Sequence, residues 1–138
     1  MRHLDEDERS THMKAITTYQ AEFVVSTERV PDFVDMTQRV QEVLTSSGIE
    51  HGQVTIFSPS GGCPLIVNER ESGLLADIES VMDRMGGPPA LGRGVIGSNS
   101  VVLPAVNGRL RLGTWQRVLL VELEKTAARS LVVQIVGQ

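Results

Sequence analysis

The chain has 138 residues, of which 41% are hydrophobic, so it suits a single domain with a packed core. Its formal net charge of −4 excludes the strongly basic surface that binds nucleic acid, and no apolar run approaches the roughly 20 residues that cross a bilayer. The acidic N-terminus lacks the apolar stretch of a secretory signal, and a single cysteine cannot form an internal disulfide. We therefore expect a cytoplasmic protein with no nucleic-acid partner and no membrane partner.

The N-terminal residues predict a leader followed by a strand. Residues 1–12 are polar, charged and without periodicity, which is typical of a disordered leader. We therefore expect one domain over residues 13–138. Within it, Tyr19–Ser26 alternates between apolar and polar residues, as a half-buried strand does.

The first predicted helix follows Pro31. Asp35 or Thr37 can cap its start, and Gly48 lies just beyond its end. Its buried face is predicted from four apolar residues with helical spacing, which are Met36, Val40, Val43 and Leu44.

The middle of the chain predicts two short strands and a second helix. The strands are Val54–Phe57 and Leu65–Val67, and a loop rich in serine and glycine, Ser58–Pro64, connects them. Ser72 can cap the helix that follows. Helical spacing predicts that the buried face of this helix consists of Leu74, Ile78, Val81, Met82 and Met85.

The last third of the chain predicts strands and a tight hairpin. Val101–Val106 reads as a strand, and Pro104 within it favours an edge position or a bulge. The dipeptide Asn107-Gly108 predicts a type I′ hairpin turn, which needs positive φ at both positions. Trp115–Leu123 and Arg129–Val136 alternate as two more strands. The element order predicts an α+β fold with mostly antiparallel β-sheets and two main helices packed on one side.

Glu122 is the polar residue that most needs an explanation. Both faces of its strand are mostly apolar, so the strand is predicted to be central in its sheet. An ionised carboxylate there must be paired, hydrogen-bonded or next to a cavity. Glu122 is therefore either a ligand or general acid–base, or one half of a structural ion pair, or a strand end that has reached water.

The loop Ser58–Pro64 and the end of the next strand supply the other candidate site residues. Consecutive backbone N–H groups of Ser60, Gly61, Gly62 and Cys63 could form an anion-binding nest, although a flexible connection is the alternative. Cys63 has no histidine in a recognisable dyad, which favours an inert thiol. Asn68 and Glu69 could form a site at their strand's end or be solvated loop residues.

The basic residues and histidines give weaker indications. No pair of histidines has metal-ligand spacing, so no metal site is expected from His3, His12 and His51. Arg109, Arg111 and Arg117 are separated by even numbers of residues, so on a strand they would share one face and could bind a phosphate together. A solvated strand face is the alternative.

The run NGRLRLGTWQRVLLVE followed by Arg129 resembles the C-terminal signature of the YjbQ family, also called secondary thiamine-phosphate synthase enzymes. The resemblance continues upstream through DMTQRVQEVLTSSGI, HGQVTIFSP, IVNE and an acidic helix with Asp77, and it covers nearly everything from Met13 to Gln138. It implies a compact α+β protein that assembles as a homotrimer. It also implies weak thiamine-phosphate synthase activity and a poorly defined physiological role.

The resemblance implies a site that has lost its histidines. The matching positions are Asn68, Glu69, Gly97, Pro104, Gly108, Leu110, Gly113, Thr114, Trp115, Gln116 and Glu122. The family's histidine positions correspond to Ser60 and Ala90 here. Serine and alanine cannot replace the metal binding or proton transfer of imidazole, so we expect a degenerate active site.

Three hypotheses follow. The first is a YjbQ-like oligomer that binds a small anionic or phosphorylated ligand without a cofactor, with Ser60, Gly61, Gly62, Cys63 and Asn68 as ligand-binding residues. The second is a thiamine-phosphate synthase-like enzyme with a rearranged site, in which Glu69 and Glu122 are catalytic, Ser60 and Cys63 assist, and a divalent metal is the alternative cofactor. The third is a structural or partner-binding trimer.

Overall fold

A computed structural model describes residues 15–85 and 96–138. The predicted leader over residues 1–12 therefore lies outside the described residues, as does Ala90. The elements in chain order are β1 (Thr17–Ser26), β2 (Asp32–Asp35), α1 (Thr37–Ser47), β3 (Gly52–Phe57), β4 (Leu65–Glu69), α2 (Ser72–Met85), β5 (Ser100–Val106), β6 (Arg109–Leu110), β7 (Gln116–Glu122) and β8 (Ala128–Gly137).

The strands form two sheets, which confirms the predicted α+β class. One sheet has the order β1-β8-β3-β5-β6 and the other has the order β2-β7-β4. Every pairing between these strands is antiparallel. The strand that carries Glu122, β7, lies between β2 and β4, so its predicted central position is confirmed.

The hydrophobic core lies between the two sheets and α1. Alternate residues of the five-stranded sheet point inward, where they meet α1 and the inner face of the three-stranded sheet. The predicted face of α1 is confirmed: Met36, Val40 and Leu44 are fully buried, and Val43 packs against them. Burying each such side chain stabilises the fold by about 1.5–3 kcal/mol. The remaining members of the core include Phe23, Val54, Ile56, Leu65, Val118, Leu120, Leu131, Val133 and Ile135.

The predicted turns are present where the backbone requires them. Gly48 ends α1 in the left-handed region with φ 71°. Asn107 and Gly108 have φ 53° and 76° and join β5 to β6 as the predicted type I′ turn. Pro104 pairs with Gln53 of β3, and on the other side its carbonyl accepts the N–H of Arg111, just beyond the two-residue β6, at 2.8 Å. β5 is not the outermost strand of its sheet, but within the described part of the chain its residues before Ala105 have no partner strand on the β6 side, so a proline is tolerated there as it is at a sheet edge.

The second helix differs from its prediction. No residue of α2 is buried, and Val81 on its apolar face is 51% exposed. The helix lies over the outer face of the three-stranded sheet, where Ile78 borders one groove with Ile66 and Leu75 borders another with Phe33. Because the grooves between helix and sheet are open, the apolar side chains are only partly covered. Both helices nevertheless lie on the same side of the five-stranded sheet, and neither is long and apolar enough to cross a membrane.

The helix caps also correct the sequence assignment in part. The N-cap position of α1 is Met36, so neither predicted residue, Asp35 or Thr37, occupies it. The Asp35 carboxylate, one residue earlier, nevertheless accepts the backbone N–H of Thr37 at 3.0 Å. At α2, the capping group is Glu71 rather than Ser72. Its two carboxylate oxygens accept the N–H groups of Gly73 and Leu74 at 2.9 and 2.8 Å.

Candidate functional site

The carboxylate of Glu122 is buried at the end of β7 and is fully hydrogen-bonded. Its Oε1 accepts hydrogen bonds from Nε of Arg129 at 2.8 Å and from Oγ1 of Thr27 at 2.9 Å. Its Oε2 accepts hydrogen bonds from Nη2 of Arg129 at 3.1 Å, from Sγ of Cys63 at 3.1 Å and from the backbone N–H of Glu124 at 3.2 Å. Glu122 has no exposed surface, so it occupies a buried ion pair, which was one of the possibilities left open by the sequence.

This arrangement fixes the protonation state of each partner. Burial raises the pKa of Glu122, but the hydrogen bonds from Arg129, Cys63 and Thr27 outweigh it and lower that pKa to about 2. The pKa of Arg129 is raised by its hydrogen bond to Glu122. Burial, with the hydrogen bond to Glu122, raises the pKa of the Cys63 thiol to about 12. Because the thiolate is the nucleophilic form, Cys63 is unreactive at neutral pH.

The loop that carries Ser60 is held by Asn99. The side-chain amide of Asn99 donates to the carbonyl oxygens of Ser58 and Ser60 at 2.8 and 3.1 Å. The N–H of Cys63 donates back to the carbonyl of Ser60 at 3.1 Å, so one of the predicted nest donors is already used inside the loop.

The other side of this loop packs against the chain that follows β7. The carbonyl of Gly62 accepts the N–H of Leu123 at 2.9 Å. A Cβ at Gly62 would lie 2.7 Å from Cβ of Glu124 and 2.5 Å from one of its carboxylate oxygens. A carboxylate so close to the loop disfavours a second anion next to Gly61 and Gly62.

An open cleft lies at the opposite end of the three-stranded sheet. It has a volume of about 620 Å³. Trp115, in the Gly-Thr-Trp-Gln run, borders it with 73% of its surface exposed. The residues that line the cleft are Asp35, Glu69, Arg70, Glu71, Thr114, Trp115 and Arg117.

One arginine of the cleft is fixed in position by an aspartate. Nε of Arg117 donates to Asp35 at 2.7 Å, while the other oxygen of Asp35 accepts the N–H of Thr37. Burial raises the pKa of Asp35, but the hydrogen bonds from Arg117 and Thr37 produce a net lowering, so the carboxylate stays ionised. The Arg117 side chain is 42% exposed. Within residues 15–85 and 96–138, its Nη groups have no hydrogen-bond partner, so they can reach a ligand.

The other charged groups of the cleft differ in what they already bind. The cap of α2 occupies Glu71, and its hydrogen bonds from Gly73 and Leu74 lower the pKa of that carboxyl. Among the described residues, neither Glu69 nor Arg70 has a side-chain hydrogen bond or an ion pair. These two side chains therefore remain available to a ligand.

The predicted site residues fall into separate places. Glu69 pairs with Gln116 at one end of β7, and Glu122 is six residues farther along that strand. At about 3.3 Å per residue, the two carboxylates are roughly 20 Å apart. The structure thus brings Cys63 to Glu122, and Glu69 to Trp115, but it does not unite the two sets. Asn68 pairs with Arg117 in the sheet and borders a neighbouring groove between β4 and α2.

Two arginines predicted with Arg117 lie elsewhere. Arg109 is exposed on β6 in the five-stranded sheet, and Arg111 follows that strand. Only Arg117 lines the cleft. The even spacing does not place the three arginines on one face, because the chain passes from the five-stranded sheet to the three-stranded sheet between β6 and β7.

The sequence pattern does not single out Arg70, and it places Trp115 at the start of a predicted strand, whereas β7 begins at Gln116. An arginine directly after Asn68-Glu69 was the available signal for Arg70. For Trp115, the signal was its place just before β7, where alternation no longer guarantees burial. In the described part of the chain, no cluster of three histidine, cysteine, aspartate or glutamate side chains could hold a metal ion.

Comparison with known proteins identifies the family. The family model described as "UPF0047 protein YjbQ-like" matches residues 21–138. The chain belongs to this family. A UPF0047 protein of Methanothermobacter thermautotrophicus is 34% identical, over 87% of this chain and 93% of the relative. One from Archaeoglobus fulgidus is 29% identical, over 82% of this chain and 98% of the relative.

Two solved structures share the fold of this chain. A YbjQ-like protein of unknown function from Sulfolobus solfataricus has a TM-score of 0.81 at 29% identity, with 90% of this chain and all of that chain covered. A hypothetical protein from Aeropyrum pernix has a TM-score of 0.80 at 34% identity, with 87% and 99% covered. These proteins confirm the resemblance and the fold, and the role of such YjbQ-like proteins is poorly defined.

Proposed function

We propose that this YjbQ-like protein binds a small anionic or phosphorylated ligand in the cleft around Trp115. The observation that carries the proposal is the presence of two available guanidinium groups beside an exposed tryptophan in one concave site. Arg70 has no internal partner among the described residues, and Arg117 is oriented by Asp35 through its Nε alone.

The chemistry of these groups suits an oxyanion attached to a ring. Guanidinium groups donate paired hydrogen bonds to phosphate and carboxylate, and prior orientation lowers the entropic cost of forming them. The Trp115 ring offers a flat apolar surface for stacking. Thr114 adds a hydroxyl at the same edge. The volume of about 620 Å³ is within the usual range for small-molecule sites.

The states of Cys63 and Glu122 support binding rather than the rearranged enzyme. A thiol with a pKa of about 12 is not a nucleophile, and a carboxylate with a pKa of about 2 is a poor proton donor. Ser60, which stands where the family resemblance expects a histidine, has its carbonyl engaged by Asn99. We therefore propose a degenerate site, without thiamine-phosphate synthase chemistry.

We also propose that the protein is a homotrimer in the cytoplasm. The trimer follows from the family resemblance, and the outer face of the five-stranded sheet supports it. That face exposes Val24, Phe57, Val102 and Val136 to the extent of 52%, 43%, 56% and 39%. Exposed apolar surface of this kind is common where subunits associate. The single cysteine and acidic charge balance suit the cytoplasm.

Tryptophan fluorescence tests the ligand proposal directly, because Trp115 is the only tryptophan in the chain. Titration with phenyl phosphate is expected to change the emission of Trp115 and to saturate. Arg70→Gln should weaken the affinity about fivefold, since an exposed charged hydrogen bond is lost. Arg109→Gln, an exposed arginine on β6, is the matched control and should bind as the wild type does. No change in emission at millimolar phenyl phosphate would refute anion binding in this cleft.

A further inference from the structure

The internal pairings of the cleft leave one charge of each sign. Asp35 is bound to Arg117, and Glu71 is bound to the start of α2. Glu69 and Arg70 remain. Both line the cleft, both are exposed, and the described residues give neither side chain an ionic partner. The groups available to a ligand are therefore the carboxylate of Glu69, the guanidinium of Arg70 and the Nη groups of Arg117, not a purely basic surface.

Glu69 and Arg70 do not neutralise each other. Glu69 is the last residue of β4 and Arg70 follows the strand. Both line the cleft, but their charged groups do not form an ion pair with each other. A ligand can therefore meet both charges at separate points. A purely anionic ligand would gain from Arg70 and Arg117 but would also meet the carboxylate of Glu69, which repels it.

We infer that the cleft takes a zwitterionic ligand, in which a flat ring carries an acidic group and a basic group. The inference rests on the proposed function and makes its ligand more specific. The acidic group binds Arg70 and Arg117, the ring lies against Trp115, and the basic group binds Glu69. The face of a tryptophan also attracts a nearby cation, so the ring of Trp115 favours the same basic group.

Calorimetric titration with three matched compounds tests this assignment. The compounds are 4-(aminomethyl)phenyl phosphate, which carries both groups, phenyl phosphate, which lacks the amine, and benzylamine, which lacks the phosphate. In the wild type, the compound with both groups should bind about tenfold more tightly than phenyl phosphate, through one charge-assisted hydrogen bond. In Glu69→Gln, this gain should disappear while the affinity for phenyl phosphate is kept or rises.

The control variant and the possible outcomes separate the inference from the proposed function. Glu22→Gln removes an exposed carboxylate from β1, away from the cleft, and should keep the tenfold gain. If the amine adds no affinity in the wild type, or if its gain survives in Glu69→Gln, the zwitterion assignment is wrong although anion binding stands. If none of the three compounds binds, both the proposed function and this inference are wrong.

Discussion

At the scale of single residues, the carboxylate of Glu122 joins segments that are distant in the sequence. Glu122 ends β7, Arg129 follows the start of β8, Thr27 follows β1 and Cys63 precedes β4. The ion pair thereby connects the three-stranded sheet to the five-stranded sheet. Removing one member of a buried pair leaves the other as an uncompensated charge, which is strongly destabilising.

We expect Glu122→Gln to lower the free energy of unfolding by about 3 kcal/mol, because the guanidinium of Arg129 stays buried without its counter-charge. Urea unfolding followed by circular dichroism measures this change. Glu22→Gln, at an exposed position, is the control and should change stability by less than about 0.5 kcal/mol. A loss below about 1 kcal/mol in Glu122→Gln would mean that the ion pair contributes little.

The same comparison should depend on pH. Folding lowers the pKa of Glu122 from its ordinary 4.5 to about 2. The stabilisation from its ionised form is therefore complete above pH 4.5 and is lost as the pH falls toward 2. Over that window, the stability difference between the wild type and Glu122→Gln should narrow. A difference that stays constant down to pH 2 would count against the ion pair as its source.

At the scale of elements, the two helices show what apolar periodicity can predict. Residues with helical spacing gave both helices and their faces. For α1, that face is the core, with Val40 and Leu44 fully buried. For α2, no residue of the face is buried. Periodicity indicates that a helix is amphipathic, but how deeply its apolar face is buried depends on neighbouring elements that are distant in the sequence.

We expect the backbone amides of α2 to exchange hydrogen at least about tenfold faster than those of α1, because few buried contacts stabilise α2. Hydrogen exchange followed by mass spectrometry measures both helices in one experiment. Glu71→Ala should accelerate exchange at the start of α2, since Gly73 and Leu74 lose their acceptor. Glu42→Ala, on an exposed part of α1, should leave hydrogen exchange at the start of α2 unchanged. Equally slow exchange in both helices would show that another surface covers α2.

The sequence predicted the fold better than the site. Alternation and the Asn-Gly turn are local signals, and they placed the hairpin and six strands, β1, β3, β4, β5, β7 and β8. The four-residue strand β2 between Pro31 and α1 was not predicted, because it is too short to show alternation. Alternation also marked Glu122 as a buried carboxylate. It could not identify Arg129 as the partner, because β7 and β8 belong to different sheets. The cleft was missed for a similar reason: Arg70, Trp115 and Asp35 come from three separate segments, and only the folded chain brings them together.

At the scale of the whole molecule, the exposed apolar face of the five-stranded sheet leads us to expect that the chain assembles with copies of itself. For the proposed homotrimer, light scattering after size-exclusion chromatography should give about 45 kDa, three times the chain mass of 15.0 kDa. Phe57→Glu and Val102→Glu, on the exposed apolar face, should lower this mass by placing charges in a subunit contact. Glu42→Gln, on an exposed part of α1 away from this face, should leave the mass unchanged. A wild-type mass of 15.0 kDa would contradict the trimer.

The position of the ion pair and the cleft at opposite ends of β7 has a consequence for how such a protein can diverge. The end of β7 that carries Glu122 must keep its ion pair with Arg129, because replacing either residue destabilises the fold. The open end carries Trp115, Arg70 and Glu69 on exposed surface, so replacements there leave the fold intact. The preference for the proposed ligand can therefore change through single substitutions without a compensating change in the core.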